Sequence, residues 1–126
     1  MSCTELGLTD EYLRVSKSAD AEIIGSAPSS IDLTDYTAEF VVRATESAAS
    51  ALLTVSLTAT ANGSVIVLSG TLLTLRLKAD DLATLPDAAD ADDPYEALCE
   101  LVVISAAGLR TRIWFLPIIV EKGVAR

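Results

Sequence analysis

TAEFVVR, residues 37–43, alternates at a period of two. Ala38, Phe40 and Val42 fall on one side of an extended chain, and Thr37, Glu39, Val41 and Arg43 on the other. Successive side chains of a pleated backbone point to opposite faces, so this period predicts a half-buried strand. Beyond it, ATESAAS (44–50) breaks the alternation, and ALLTVSLTA (51–59) resumes it with Leu53, Val55 and Leu57 opposite Thr54, Ser56 and Thr58. Asn62-Gly63 is the strongest turn signal in the chain, since both residues tolerate positive φ. It leads into SVIVL (64–68), Ser69-Gly70 and TLLTLRL (71–77), where Leu73, Leu75 and Leu77 are expected to face inward and Thr74, Arg76 and Lys78 to face water. Three strands joined by short turns predict an antiparallel meander.

Downstream, KADDLATLP (78–86) reads as a short helix. Asp80 or Asp81 is expected to cap it, with Leu82 and Leu85 on the core side and Pro86 ending it. DAADADDP (87–94) is expected to be an exposed acidic loop. ALCELVVIS (97–105) and TRIWFLPIIV (111–120) read as two strands around a turn at Gly108. In the second, Ile113, Phe115 and Ile119 alternate with Trp114, Leu116 and Val120, so both faces are apolar and one is expected to meet something outside the domain. Pro117 has no N–H to give a ladder, which predicts an edge position or a bulge.

Upstream, SAPSSIDLTDY (26–36) has the Ser, Pro and Asp content of a loop. YLRVSKSADAEIIG (12–25) offers two short extended pieces, near 13–15 and 21–25. Residues 1–12 are expected to form an arm and residues 13–126 one domain, an all-β, immunoglobulin-like antiparallel β-sandwich with one short helix.

Composition limits function. The 126 residues include nine basic and eighteen acidic ones, a net charge of -9, which disfavours nucleic acid and anionic membrane as partners. No apolar run approaches the roughly 20 residues of a membrane-spanning helix. The N-terminus lacks the basic start and apolar core of a secretory signal. Without histidine the chain lacks the usual general base and the commonest transition-metal ligand. Phosphate-binding and nucleophile-elbow motifs are missing, and two cysteines are too few for a structural zinc site. The sequence therefore predicts a non-enzymatic protein with no cofactor. Asp87, Asp90, Asp92 and Asp93 supply the oxygen ligands calcium prefers, but the closing Glu of an EF-hand counted from Asp90 would fall at Leu101. A solvated, charged loop is the reading adopted. Cys3 and Cys99 read as a free thiol in the arm and a packed thiol in a strand, with a link between them or from Cys3 to another chain left open. Reducing conditions during synthesis fit this cysteine usage.

Three segments carry a family resemblance. DLTDYTAEFVVRA (32–44) is similar to a DLTGxTxxxxVR segment, and NGSVIVLSGTLLTLRLKADDLATLP (62–86) to a hairpin followed by a short helix ending in LP. CELVVISAAGLRTRIWFLPIIVEKGVAR (99–126) resembles a closing hairpin written YDLEL…G…TRLLxGxVxVxxxVTR. Cys99 stands where that pattern has an aromatic, and Phe115–Pro117 replaces its LLxG. The pattern is that of domains related to the N-terminal part of the phage baseplate upper protein, and the resemblance spans about residues 13–126. It implies a virion structural protein, of the tail, baseplate or fibre attachment, assembled in the host cytoplasm with other virion proteins and copies of itself. A head-decoration or collar subunit is a variant of that reading. A binding module for carbohydrate or a host surface protein is the alternative from another class, and a free regulatory or anti-host protein is a third. Candidate interface residues are Cys3, Leu6, Leu8 and Tyr12 of the arm, which would add a strand to a neighbour's sheet, and Trp114, Leu116 and Ile118 of the last strand. For these three, core packing is the competing reading.

Overall fold

Eight strands and one helical turn make up the fold in a computed structural model that describes residues 12–27, 31–45, 48–86 and 94–121. In chain order the elements are β1 (Leu13–Ser16), β2 (Ala21–Ser26), β3 (Thr37–Arg43), β4 (Leu53–Ser56), β5 (Val65–Ser69), β6 (Leu72–Leu77), α1 (Ala79–Leu82), β7 (Tyr95–Ile104) and β8 (Arg110–Glu121). They form two sheets, one ordered β1-β8-β7-β3-β4 and one ordered β2-β6-β5. The molecule is an all-β, two-sheet protein with a single shared core.

Alternation places that core. Ala38, Phe40 and Val42 of β3 are buried, as are Ala97, Cys99, Leu101 and Val103 of β7. The register sets Val55, Phe40, Leu101 and Trp114 side by side across four strands. Ile23 of β2, Ile66 of β5 and Leu73, Leu75 and Leu77 of β6 are buried from the opposite sheet and belong to the same apolar cluster. Leu82 and Leu85 close one end of it, as their spacing predicts.

Four expectations are corrected. The Asn62-Gly63 turn is real, with Gly63 at φ 101°, but it does not join paired strands. Strand β4 pairs with β3, and β5 pairs with β6, so the turn carries the chain from one sheet to the other and no three-stranded meander forms. Strand β4 also ends at Ser56, leaving Leu57 exposed. Strand β1 lies parallel to β8, with Leu13 opposite Ile118 and Ser16 opposite Glu121, so the sandwich is not wholly antiparallel. Finally, α1 has no capping bond from its own first residues. Its Ala79 amide donates instead to Asp20 Oδ1, 2.7 Å away in the β1–β2 connection, and Asp81 points back to the β4–β5 corner.

That corner is tied down by buried polar groups. Asp81 accepts from Thr60 Oγ1 at 2.6 Å and from Asn62 Nδ2 at 2.9 Å. Ser64, fully buried, accepts the Lys78 amide at 2.9 Å. Burial pushes the Asp81 carboxyl up, but hydrogen bonds from Ser64, Thr60 and Asn62 outweigh it and hold the group below its ordinary value.

Proline 117 lies where its chemistry allows. Strand β1 covers only the last four residues of β8, so Pro117 sits just outside that pairing, on a stretch free on one side among the described residues. A bulge displaces the β7–β8 register between Leu101 and Val102, making Ile113 an extra residue. Arg112 therefore pairs with Val102 on the outer face while Trp114 pairs with Leu101 on the inner one.

Candidate interaction surface

The two faces of β8 sort the candidate residues. Trp114, Ile118 and Val120 are buried in the chain's own core, and Leu116 is half-buried against it. Trp114 and Ile118 are thus corrected from interface to core residues, because β8 turns this face toward the opposite sheet. Leu116 packs partly with them. Tyr12 is half-buried, with the Arg14 guanidinium 5.4 Å from its ring centre. Cys3, Leu6 and Leu8 lie outside the described residues, as does the acidic stretch 87–93.

The surface that sequence reasoning missed is the opposite face of the same strand. Register sets Val41, Glu100 and Phe115 in one row and Arg43, Leu98 and Pro117 in the next. The Phe115 ring remains 38% exposed, and the Arg112 guanidinium lies 4.4 Å from its centre. Arg112 Nε also donates to Glu100 Oε2 at 2.6 Å, which fixes the arginine across the ring. Val41, Leu98 and Phe115 with these charged neighbours line a shallow depression of about 100 Å³. Farther along the face, Arg110 lies 3.6 Å from Glu39, and Arg14 pairs with Glu121. The result is a small apolar patch of Val41, Leu98 and Phe115 set among opposed charges. One signal for it was present: TRIWFLPIIV is apolar on both faces. Which face turns inward depends on the Ile113 bulge, and no local pattern announces a bulge.

A second apolar surface lies on the outside of the three-stranded sheet. Ile24 and Val67 flank Thr74 in one row, Leu72 stands in the adjacent row, and all three apolar side chains are exposed. The exposed ion pair Arg76–Glu22, at 2.8 Å, borders them. Leu109, at the tip of the β7–β8 hairpin, is 70% exposed.

Among the described residues no group of three or more Asp, Glu or Cys side chains converges as a metal site would require. Cys99 is enclosed in the core, and burial pushes its thiol up to about 12, a small contribution from the Leu116 backbone working the other way. A thiol so seldom ionised is a poor nucleophile. We expect iodoacetamide at pH 8 to leave Cys99 unmodified in the folded protein and to alkylate it once urea unfolds the chain. Peptide mapping by mass spectrometry reads the difference, and modification within minutes under native conditions would contradict the burial. Compared with protein-family models and with curated proteins, the sequence finds no match.

Proposed function

We propose that this chain is a non-enzymatic structural subunit of a phage virion, of the tail or baseplate, and that it works through contacts with other virion proteins. The observation that carries the reading is how the baseplate-like segments fall on the fold. Residues 32–44 comprise one loop and all of β3. Residues 62–86 run from the Asn62-Gly63 turn through the β5–β6 hairpin and α1, and the segment beginning at Cys99 takes in the last six residues of β7 and all of β8. The three segments thus take in β3, the β5–β6 hairpin with α1, and most of the β7–β8 hairpin, in the order the resemblance expects.

An immunoglobulin-like assignment is part of the proposal. Taken in chain order as A, B, C, C′, D, E, F and G, the strands give one sheet B-E-D and another G-F-C-C′, the division of the variable-type sandwich, with A placed beside G. The helical turn falls between E and F, and Tyr95 begins F. The charged frame around Phe115 and the exposed Ile24, Val67 and Leu72 fit a subunit that buries surface against neighbours.

Mass spectrometry of gradient-purified particles, with immunogold labelling, tests the proposal. The chain is expected at a fixed copy number per particle, with label on the tail or its tip. Presence in the lysate but absence from intact particles would overturn it in favour of a free binding or regulatory protein.

A further inference from the structure

Strand β8 has an open flank. Strand β1 pairs with Ile118–Glu121 only, so from Arg110 to Pro117 the same side of β8 carries no strand among the described residues. An unpaired edge presents a row of backbone donors and acceptors that another strand can complete. Its length is eight residues, about 26 Å of extended chain.

We propose that this flank receives residues 1–11 of a second copy of the same chain, added as a strand. Length, position and charge support that occupant. Eleven residues precede Tyr12, enough to run the whole flank, and they join the fold at Leu13, opposite Ile118, just where the flank begins. The segment MSCTELGLTDE carries three acids and no lysine or arginine. The flank, RTRIWFLP, carries two arginines and no acid, with Glu100 and Glu39 of the neighbouring strands beside Arg112 and Arg110.

Register argues against the chain's own arm. Continuing β1 along β8 in its parallel register would put Glu11 opposite Leu116, on the inward side shared with Leu13, and Tyr12 opposite Pro117. That arrangement buries a carboxylate against apolar side chains and meets a residue with no N–H. An arm from another copy is not bound to this register. A shift of one residue exchanges the faces of a strand. A shift of three does the same, and sets Leu6 and Leu8 beside Trp114 and Leu116, with Glu5 and Gly7 on the side of Arg112. Because donor and acceptor are different surfaces, repeating the contact builds a ring or an open chain unless two copies exchange arms.

The inference rests on the edge and the arm, not on the virion reading, and its test uses the isolated full chain. Sedimentation velocity over a concentration series should show association, and hydrogen exchange should show protection of the 111–116 amides that grows with concentration. Leu6→Asp with Leu8→Asp should weaken association at least tenfold while leaving exchange in β7 unchanged. Glu5→Arg and Arg112→Glu should each weaken it, and the two together should recover part of the loss. A chain that stays monomeric at several hundred micromolar overturns the proposal, as does association indifferent to the leucine substitutions or to the charge exchange. Protection, in a strict monomer, of those 111–116 amides that point away from β7 also overturns it, and assigns the flank to the chain's own arm.

Discussion

Phe40→Ala is expected to lower the unfolding free energy by about 4 kcal/mol. Phe40 is the largest fully buried side chain, and the register places Val55 on one side of it and Leu101 on the other, with Trp114 beyond Leu101. Removing the ring opens a cavity in the middle of that row. The strands cannot close over it without breaking backbone ladders on both sides, so the loss contains both the transfer term and the cavity term. Phe40→Leu, which keeps most of the volume, should cost under about 1.5 kcal/mol. Phe115→Ala, on the outer face, should cost about 1 kcal/mol, chiefly the lost contact with Arg112. Urea denaturation reads all three, and the midpoint of Phe40→Ala should fall with little change in slope. Equal losses for Phe40→Ala and Phe115→Ala would mean that the assignment of inner and outer faces is wrong.

These two phenylalanines show what was legible in the sequence. Phe40 stands in TAEFVVR, whose other face carries Glu39 and Arg43, so its direction could be read from its neighbours. Phe115 stands in a run apolar on both sides, and the phase of that strand is decided by a bulge opposite Leu101 and Val102. Trp114 and Phe115 are both aromatic and adjacent, so composition gave no reason to prefer either as the buried one. Burial of Trp114 follows from pairing with Leu101, a contact between strands that forms only when the hairpin does. Sequence reasoning accordingly did not separate the inward face of this strand, with Trp114 and Ile118, from the outward one with Phe115.

The β4–β5 corner was misread for a different reason. Asn62-Gly63 encodes a turn, and Gly63 takes the positive φ that such a turn needs. A turn dictates a reversal of the chain and says nothing about whether the flanking strands pair. Pairing is decided by β3, which takes β4 as its neighbour, and by β6, which takes β5. The parallel pairing of β1 was equally hidden, since LRVS is too short to show whether its partner runs with it or against it. Helix-start signals are local, so they offer Asp80 or Asp81 as a cap. The actual partners of Asp81, Thr60 and Asn62, lie about twenty residues upstream.

Asp81→Ala should therefore cost about 3 kcal/mol, far more than a lost cap on a four-residue helix. Hydrogen bonds to a charged acceptor contribute about 1.5–3 kcal/mol each, and donors left unpaired in a buried site add to the loss. Part of that is offset by the desolvation that the carboxylate no longer suffers. The pH dependence separates this role from simple packing. The folded-state pKa of Asp81 is depressed by its hydrogen bonds, so its contribution is fully present above the ordinary aspartate value of about 3.9 and is lost as pH falls through the lower folded value. Below about pH 4 the unfolded chain binds the proton first, and the native state weakens relative to it. The gap between the parent protein and Asp81→Ala should consequently narrow on acidification. Asp20 and Asp32 are held down in the same direction by their own hydrogen bonds, so the variant should keep part of the acid-induced loss. Asp80→Ala, at the exposed neighbouring position, should stay within about 0.5 kcal/mol of the parent at pH 7. Urea midpoints measured from pH 3 to pH 7 test the set. A gap between parent and Asp81→Ala that is constant across this range would show that the carboxylate's charge contributes nothing, and that the corner is held by packing alone.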